Sequence, residues 1–512
     1  MSRPRRRFLQ TALGIGSFVL MYGNTRAQLA RRPDVDALTL DGSLKTLASG
    51  SLTELADALR GPILLPGDDG YDLTRHLFFN SRFDRRPAFI VQATGPADIA
   101  LAVNFAREHR LLMAVKGGGH SDFGVSSHEQ AMMLDLSLLR GVRVDPGTRR
   151  AWVAGATPSG LIDHETGPHL LAIPLGGDPT VGVGGLALGG GFGKLGRAYG
   201  LTLDSVRSID LVCADGQLRR VSARENPDLF WALRGGGGNF GVATAFEFDL
   251  HPVPKLVFAG SITFPFHQLH QVANAYRAVA LEAPECLYVE LLIQVRDTME
   301  ASVLQLNVCY SGDGADADNV LRPLRQFGDV QFDDIRPVSF PTAQHAEAHT
   351  AARVPAASIP QETFFRSGLL ETFGAPLASA LAESLRPEAG QSITMLFLHV
   401  GGAISRRPTG ATSFSHRAVI HDMIFVASWR KGEGRHAEQV EQIWGGLKSF
   451  TLGFYVNEMA GGVSPSEVAA NYGANASRLA AIKRRWDPAN LFRLNANILP
   501  VDFHGSLSRN LR

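Results

Sequence analysis

The sequence predicts an α+β protein built from more than one domain. The chain has 512 residues and is 45% hydrophobic, which is more apolar material than one ordinary core contains. Short apolar runs typical of strands alternate with longer runs whose apolar residues recur at helical spacing. Glycine is concentrated in three stretches of the first half, residues 117–124, 176–200 and 235–241, where a backbone can approach a ligand closely.

The first 27 residues are typical of an export signal. Arginines crowd the start without any acidic residue, and an apolar stretch from Thr11 to Tyr22 follows. That stretch is too short for a stable anchor, so we expect no stable membrane span. The paired arginines resemble a twin-arginine signal, and Thr25 and Ala27 are small residues of the kind that precede a cleavage site. We therefore expect an exported protein, periplasmic or extracellular, with residues 1–27 as its signal peptide.

Charge and cysteine content exclude several classes of protein. The formal net charge is +1, and the basic signal accounts for that excess, so the remainder is mildly acidic. Such a chain is a poor candidate for nucleic-acid binding. Its three cysteines form no C-x-x-C pair, and we expect no metal site. The oligomeric state stays open.

Glycine content divides the rest of the chain. Residues 28–70 are predicted to be a polar N-terminal extension, and residues 71–255 are the glycine-rich α/β part. Residues 256–450 alternate strand and helix patterns with little glycine, which predicts a second α+β domain. The C-terminal segment, residues 451–505, holds a helix whose basic run 483–485 is expected on a solvated face.

The central glycine stretch favours a close backbone cradle over a Rossmann fingerprint. The run GFGKLG (191–196) fits G-x-G-x-x-G, but glycines precede it instead of a strand and Gly200 interrupts the expected helix. Glycine N–H groups instead make a concave site for an anion such as a pyrophosphate. Two such loops can hold one dinucleotide from two sides.

Several of these stretches resemble a known flavoprotein family. The runs "MAVKGGGHS", "DPTVGVGGLALGGGFG" and "RGGGGNFGVATAFEFDL" resemble the FAD-binding domain of the vanillyl-alcohol oxidase/p-cresol methylhydroxylase superfamily. "YVNEM" and "RRWDPANLFRLNANILP" resemble the C-terminal segment of its berberine-bridge-enzyme-like branch. The resemblance implies a two-part FAD-binding domain (71–255), a substrate domain with a large antiparallel sheet covered by helices (256–450), and a tail that returns to the FAD domain.

The resemblance also implies which residues hold FAD. They lie in the glycine loops, in the strand that follows the third loop and in the C-terminal segment. The predicted cofactor-binding residues are Lys116, Gly117, Gly118, Gly119, His120, Ser121, Gly124, Gly177, Asp178, Thr180, Val181, Gly184, Gly185, Gly190, Gly193, Val242, Tyr455, Asn457, Asn495 and Asn497.

His120 matches the histidine that relatives attach covalently to the flavin 8α-methyl carbon. A neutral imidazole is a suitable nucleophile for such a bond. Many relatives form a second bond from a cysteine in a C-P-T-V run, but this chain has Asp178 there, so single attachment through His120 is expected. Asp178 is interpreted as a hydrogen-bond acceptor, as a group that raises a neighbour's pKa, as a contact for a cationic substrate, or as a turn acid before Pro179.

Tyr455 matches a tyrosine that lies near the reacting carbon in relatives. It is predicted to accept a substrate proton as hydride leaves, which requires a lowered pKa if it is to act as a tyrosinate. The usual partner, just before "GGA", is Val400 here, so His399, His416 or Arg417 is expected to replace it. Tyr455, Asp178 and His399 are the predicted catalytic residues.

The resemblance implies an FAD-dependent oxidase. In relatives, valine at the position of Val181 accompanies reaction with dioxygen, while a larger aliphatic residue accompanies dehydrogenases. We expect hydride transfer from an alcohol, either a sugar or a secondary-metabolite hydroxyl, with dioxygen reduced to hydrogen peroxide. A dehydrogenase with another acceptor, an amine oxidase and a non-catalytic flavin-binding protein are the alternatives.

Overall fold

The computed structural model describes residues 34–78, 83–121, 123–346, 361–459 and 463–503. It contains helices and sheets in separate layers, and a large antiparallel sheet lies in the second half, so the α+β prediction is confirmed. The predicted signal peptide, residues 1–27, lies outside the described residues.

The first sheet has four strands and is mostly parallel. Its inner strands are short apolar runs that are buried on both faces, as parallel strands usually are. In spatial order the strands are Ile63–Leu64, Phe89–Gln92, Met132–Asp135 and Met113–Lys116. The last strand runs directly into the first glycine loop, so the sheet positions residues 117–121.

The second sheet has five antiparallel strands. The strand Arg150–Ala154 alternates buried and partly buried residues, whereas Val206–Val212 and Val242–Asp249 are buried at most positions. In spatial order they are Leu218–Ser222, Val206–Val212, Val242–Asp249, Arg150–Ala154 and Val142–Asp145. Two smaller antiparallel pairs accompany these sheets, Val35–Leu38 with Leu44–Leu47 and Leu171–Ala172 with His251–Pro252.

The third sheet has eight antiparallel strands and dominates the second half of the chain. One face packs on helices, and the other faces the glycine-rich half. In spatial order the strands are Phe332–Asp333, Val257–Pro265, Val303–Tyr310, Leu287–Val295, Gln391–His399, His421–Arg430 and Gln361–Leu370, with Arg336–Val338 beside Val257–Pro265.

The α-helices are short in the glycine-rich half and longer on the large sheet. Their bounds are Ser49–Ala58, Tyr71–Arg75, Pro96–His109, Ser159–Thr166, Val183–Gly189, Gly196–Tyr199, Pro227–Leu233, Leu269–Glu282, Ala317–Leu321, Phe340–Gln344, Ala375–Ser384, Ala403–Arg406, Arg435–Lys448, Pro465–Tyr472 and Ala476–Trp486. Of the helices within the described residues, none has the length and apolar content that crossing a bilayer requires.

The predicted N-terminal extension, residues 28–70, is more integrated than its polarity indicates. Its hairpin Val35–Leu38/Leu44–Leu47 packs on the core of the four-stranded sheet, and the first strand of that sheet, Ile63–Leu64, falls inside the range. Ala37, Leu38 and Leu47 of the hairpin are buried in that core.

The C-terminal segment packs on the glycine-rich half. Lys483, expected on a solvated face, is fully buried, and its ammonium donates to the carbonyl oxygen of Asn239 at 2.6 Å and to the carboxylate of Asp487 at 2.7 Å. Arg493 donates to the carbonyl oxygen of Leu40 at 2.7 Å. The solvated-face expectation was therefore wrong for Lys483, because a buried carboxylate and buried carbonyls pair with the charge.

Candidate active site

A cavity of about 690 Å³ lies between the glycine loops and the large sheet. Its first wall consists of backbone from the three glycine stretches. Its second wall consists of side chains from the strands of the large sheet, and the C-terminal segment closes a third side with Tyr455 and Asn457. Every part of the chain predicted to meet at the cofactor therefore contributes to one cavity.

Two glycine loops touch backbone to backbone beside this cavity. A Cβ atom on Gly182 would lie 2.5 Å from the backbone nitrogen of Gly118, and a Cβ atom on Gly118 would clash with Gly182 in return. Gly184 is similarly tight, because its Cβ atom would lie 2.5 Å from the carbonyl oxygen of Gly155. Glycine is required at these positions by the close approach of one backbone to another, whereas the sequence pattern predicted close approach to a ligand.

Other glycines in the same wall face open space. Gly117, Gly185 and Gly237 line the cavity, and a Cβ atom on any of them would meet no protein atom within 4 Å. Each of these three glycines comes from a different one of the three glycine stretches. Their bare backbone therefore leaves room for a ligand to approach all three loops. This arrangement fits a long anionic dinucleotide such as FAD, which needs N–H groups along its pyrophosphate.

His120 lies at the end of the first glycine loop, half-buried and stacked on Phe78 with 4.2 Å between ring centroids. Its Nε2 atom lies 2.7 Å from the hydroxyl oxygen of Thr180. The Thr180 hydroxyl donates to the carboxylate of Asp178 at 2.6 Å, and the Thr180 backbone N–H donates to the same oxygen at 2.8 Å.

This chain of contacts assigns the tautomer of His120. The Thr180 hydroxyl has one proton, and it donates that proton to Asp178. Its oxygen must therefore accept a hydrogen bond from an Nε2–H group of His120. The lone pair of the neutral ring then lies on Nδ1. Burial lowers the pKa of His120 below its ordinary value, and the charge of Asp178 opposes this only in part, so the ring is neutral at neutral pH.

Tyr455 is buried in the cavity wall, and its phenol oxygen accepts two hydrogen bonds. The backbone N–H of Gly191 and the side-chain amide of Asn457 each donate to it at 2.7 Å. Burial raises the pKa of Tyr455 well above its ordinary value, which the two donors lower only in part, while the charges of Glu458 and Asp422 raise it further. The expectation of a lowered pKa was therefore wrong, and Tyr455 is a neutral phenol at neutral pH.

Most of the residues predicted for the cofactor line the cavity. They include the loop glycines, the histidine, the tyrosine and two of the three asparagines. The lining contains Gly117, Gly118, Gly119, His120, Ser121, Gly177, Asp178, Val181, Gly184, Gly185, Gly193, Val242, Tyr455, Asn457 and Asn495.

Five of the predicted cofactor-binding residues do not line the cavity, namely Lys116, Gly124, Thr180, Gly190 and Asn497. Thr180 acts on the site through its contact with His120. Gly190 lies against the ring of Tyr455, where a Cβ atom would come within 3.1 Å of the ring. Lys116 binds the carbonyl oxygen of Thr74 and lies near Asp135, away from the cavity.

The prediction of His399 as a catalytic residue was wrong. Its ring lies on the helix side of the large sheet, where Nε2 is 2.9 Å from the carbonyl oxygen of Ala280 and Nδ1 accepts from the backbone N–H of Val289 at 3.3 Å. The neighbouring side chain of Leu398 lines the cavity instead. Adjacent residues of a strand face opposite sides of the sheet, so a shift of one residue removes His399 from the site.

The two other candidates for a partner of Tyr455 are also occupied elsewhere. His416 lies 3.0 Å from the side-chain oxygen of Asn471, and the guanidinium of Arg417 pairs with Asp204 at 2.7 Å. Neither lines the cavity.

A polar cluster in the second wall was missed from the sequence. Tyr288 and Glu290 lie two residues apart on the strand Leu287–Val295, so both face the cavity, and Lys194 from the central glycine stretch lies beside them. The period-two spacing of a tyrosine and an acid within the apolar run "LYVELLIQV" is the signal that predicts them.

Two family models match the chain. The FAD binding domain model matches residues 87–222, and the berberine and berberine-like model matches residues 454–499. The (R)-6-hydroxynicotine oxidase of Paenarthrobacter nicotinovorans is 29% identical over 86% of this chain and 97% of its own length. The xylooligosaccharide oxidase of Thermothelomyces thermophilus is 28% identical over 83% of this chain and 89% of its own length.

Solved structures share the fold. The 6-hydroxy-D-nicotine oxidase of Arthrobacter nicotinovorans superposes with a TM-score of 0.75 at 28% identity, over 86% of this chain and 98% of that one. The glucooligosaccharide oxidase of Acremonium strictum, described as carrying 6-S-cysteinyl, 8α-N1-histidyl FAD, superposes with a TM-score of 0.74 at 24% identity, over 88% of this chain and 99% of that one.

The fold, the glycine-lined cavity and these matches define an FAD-dependent oxidoreductase of the p-cresol methylhydroxylase type. The C-terminal match adds a berberine-like segment to that FAD-binding domain, and the relatives of the chain are FAD-linked oxidoreductases and oxidases.

Proposed function

We propose that this protein is an oxidase that takes a hydride from the hydroxyl-bearing carbon of a small alcohol and reduces dioxygen to hydrogen peroxide. The observation that carries the proposal is the Tyr455 phenol, which reaches the cavity with two N–H donors on its oxygen. Bound FAD supplies the hydride acceptor. Both of the relatives described above are named as oxidases, which supports an oxidase over a dehydrogenase, and the xylooligosaccharide oxidase supports an alcohol as the substrate.

Tyr455 is the proposed proton-transfer group. Because it is a neutral phenol at rest, it takes up the substrate proton only as its own proton leaves, and the carboxylate of Glu458 in the same wall is the proposed acceptor. The N–H groups of Gly191 and Asn457 hold the negative charge that develops on the phenol oxygen during this exchange.

Replacing Tyr455 by phenylalanine tests this role. We expect Tyr455→Phe to slow flavin reduction by substrate about 10²–10⁴-fold, the usual loss when a positioned acid–base group is removed. The measurement is anaerobic stopped-flow absorbance at the flavin band. Tyr199→Phe is the matched control, since the Tyr199 hydroxyl binds the carbonyl oxygen of Pro252 outside the cavity. An unchanged reduction rate in Tyr455→Phe with normal FAD content would contradict the role.

FAD is proposed to be attached covalently through His120 alone. The neutral ring presents its lone pair at Nδ1, which is the atom we assign to the bond with the 8α-carbon of FAD. Asp178 occupies the position where many relatives have a second attaching residue, and here it orients Thr180 instead. The proposed function of Asp178 is thus to fix the tautomer of His120 through Thr180.

The tether is tested by separating covalent from bound flavin. We expect His120→Ala to release all of its FAD on acid precipitation. We expect Thr180→Val to hold a smaller fraction of its FAD covalently, because the Nε2–H group of His120 loses its acceptor. Thr180→Ser keeps the hydroxyl and is expected to keep the attachment. Full covalent loading of Thr180→Val would show that the hydroxyl has no part in it, and release of FAD from the unaltered protein would refute the tether.

Val181 is proposed to leave room for dioxygen beside the reduced flavin. It lines the cavity directly after Thr180, on the loop that contacts His120. In an interior packed to crystal density, one added methylene decides whether a small space is filled.

Reoxidation by dioxygen separates an oxidase from a dehydrogenase. We expect the reduced protein to be reoxidised rapidly on mixing with air-saturated buffer, with one hydrogen peroxide formed per flavin. Val181→Ile is expected to slow that reoxidation at least tenfold while substrate reduction is kept, and Val125→Ile, at another valine of the cavity wall, is the control. Slow reoxidation of the unaltered protein would favour the dehydrogenase.

The domain assignment and the export signal belong to the same proposal. Residues 71–255 are assigned to FAD, residues 256–450 to the substrate, and residues 451–505 to closure of the site. Export by a twin-arginine signal in residues 1–27 is supported by the arginine run and the short apolar stretch. A covalent tether suits such a protein because FAD lost outside the cell is not readily replaced.

A further inference from the structure

A buried aspartate without a hydrogen-bond donor lies in the large sheet behind the cavity wall. Asp422 is fully buried on the strand His421–Arg430. Ile424 and Val426 follow it at alternate positions and line the cavity, so Asp422 is on the cavity side of the sheet. Neither carboxyl oxygen of Asp422 accepts from an N–H or hydroxyl group of the described residues. Because a buried negative charge without a donor is costly, this carboxyl is expected to hold a proton.

The neighbouring strands place apolar side chains beside Asp422. In the sheet register it lies opposite Leu398 on one side and opposite Leu369 on the other. Leu369 belongs to the same apolar cluster as Tyr455. The titratable groups that interact with Asp422 come instead from the C-terminal segment, and they are Glu458 and Tyr455.

Two further charged side chains belong to a neighbouring part of the cavity wall. Glu290 lies two strands away from Asp422 in the sheet, a distance of about 10 Å between backbones. Its carboxylate accepts from the Tyr288 hydroxyl at 2.8 Å, and the Lys194 ammonium lies 5.8 Å from the centroid of the Tyr288 ring. Both charges are therefore grouped around Tyr288, apart from Asp422.

Glu458 is placed against the strand of Asp422 by two backbone hydrogen bonds. Its N–H donates to the carbonyl oxygen of Tyr455 at 2.9 Å, and its carbonyl oxygen accepts from the Ser367 hydroxyl at 3.1 Å. Ser367 lies opposite Ile424, two residues along the strand from Asp422. The side chain of Glu458 lines the cavity and is the hydrogen-bond partner of Asp422.

A hydrogen bond between two carboxyl groups requires one of them to carry a proton. At rest the pair Asp422–Glu458 therefore holds one proton and one negative charge. Burial supports this state, because it raises the pKa of Asp422 well above its ordinary value and the hydrogen bond to Glu458 lowers it only in part. Both carboxyl groups also raise the pKa of Tyr455, so the phenol lies within electrostatic reach of the pair.

We infer that Asp422 and Glu458 together hold the proton that substrate oxidation releases and return it when dioxygen is reduced. The inference rests on the proposed oxidase function and extends it to the fate of this proton. Asp422 does not touch the substrate; it acts through Glu458 and is a positioning residue for the proton.

Protons and electrons balance over the two half-reactions. The substrate carbon loses a hydride to bound FAD and becomes a carbonyl carbon. The substrate hydroxyl proton passes to the oxygen of Tyr455 while Tyr455 gives its own proton to the pair, which then holds two protons and no net charge. Dioxygen later takes up two electrons and two protons to form hydrogen peroxide. One of these protons is carried by the transferred hydride, and the other returns from the pair through Tyr455.

Proton counting tests this role without a substrate. Reduced methyl viologen is titrated into the anaerobic holoprotein in unbuffered solution near neutral pH, and an indicator dye reports the protons bound per flavin reduced. Reduction adds negative charge to the cavity, so we expect the pair to bind one proton beyond those bound by the flavin itself. Asp422→Asn is therefore expected to bind one proton fewer per flavin than the unaltered protein.

Infrared spectroscopy identifies the groups that bind the extra proton, because a protonated carboxyl group and a carboxylate absorb at different frequencies. We expect reduction to add a carboxylic acid band that both Asp422→Asn and Glu458→Gln abolish. Asp163→Asn is the matched control, since burial also raises the pKa of Asp163 but its carboxylate lies 2.9 Å from Nε2 of His345, outside this cavity. This control is expected to keep both the proton count and the band.

The outcomes separate the proton-holding pair from the proposed oxidase. A proton count unchanged in Asp422→Asn, or an added band that survives in both variants, would overturn the inference. The expected count and band together with slow reoxidation by dioxygen would support the pair and count against the oxidase. Rapid reoxidation without the extra proton would support the oxidase and overturn the pair. If Asp422→Asn fails to hold FAD, Glu458→Gln provides the same two measurements.

Discussion

The backbone contact between Gly118 and Gly182 is the constraint on which the rest of the site depends. A Cβ atom on Gly182 would lie 2.5 Å from the nitrogen and 2.8 Å from the Cα atom of Gly118, both of which are backbone atoms that no rotamer change can move. Because the two loops touch, Thr180 comes within hydrogen-bond distance of His120. The same contact leaves a groove of bare backbone on the cavity side, which is the kind of surface that a dinucleotide requires.

A buried guanidinium joins that cradle to the wall that faces the substrate. Arg197 follows the central glycine stretch and donates to the carbonyl oxygens of Leu287, Val400 and Ala283 at 3.0, 2.7 and 2.7 Å. Burial lowers the pKa of Arg197 to about 10, so it remains charged at neutral pH. The loop that carries Phe192 is thereby fixed against the large sheet. Tyr455 and the side chains of that sheet which line the cavity are therefore held in a fixed position relative to each other.

Local signals predicted the cofactor half of the site, and non-local contacts decided the rest. A glycine cluster ending in His120 is visible in the sequence because close approach restricts residue type position by position. The alternation of a strand predicts two faces but not which face meets the ligand, so His399 was chosen where Leu398 lines the cavity. The tautomer of His120 and the neutral state of Tyr455 depend on partners that only folding brings together, so no short sequence motif predicts either of them.

The FAD content of Gly182→Ala tests the central claim most directly. The added methyl group is predicted to separate the two loops, so the purified variant should be folded but hold less than a tenth of the FAD per chain that the unaltered protein holds. Gly50→Ala, at a helical glycine whose Cβ atom meets nothing within 4 Å, is the control and should keep full FAD content. Full FAD content in Gly182→Ala, with the flavin still attached to His120, would contradict the account.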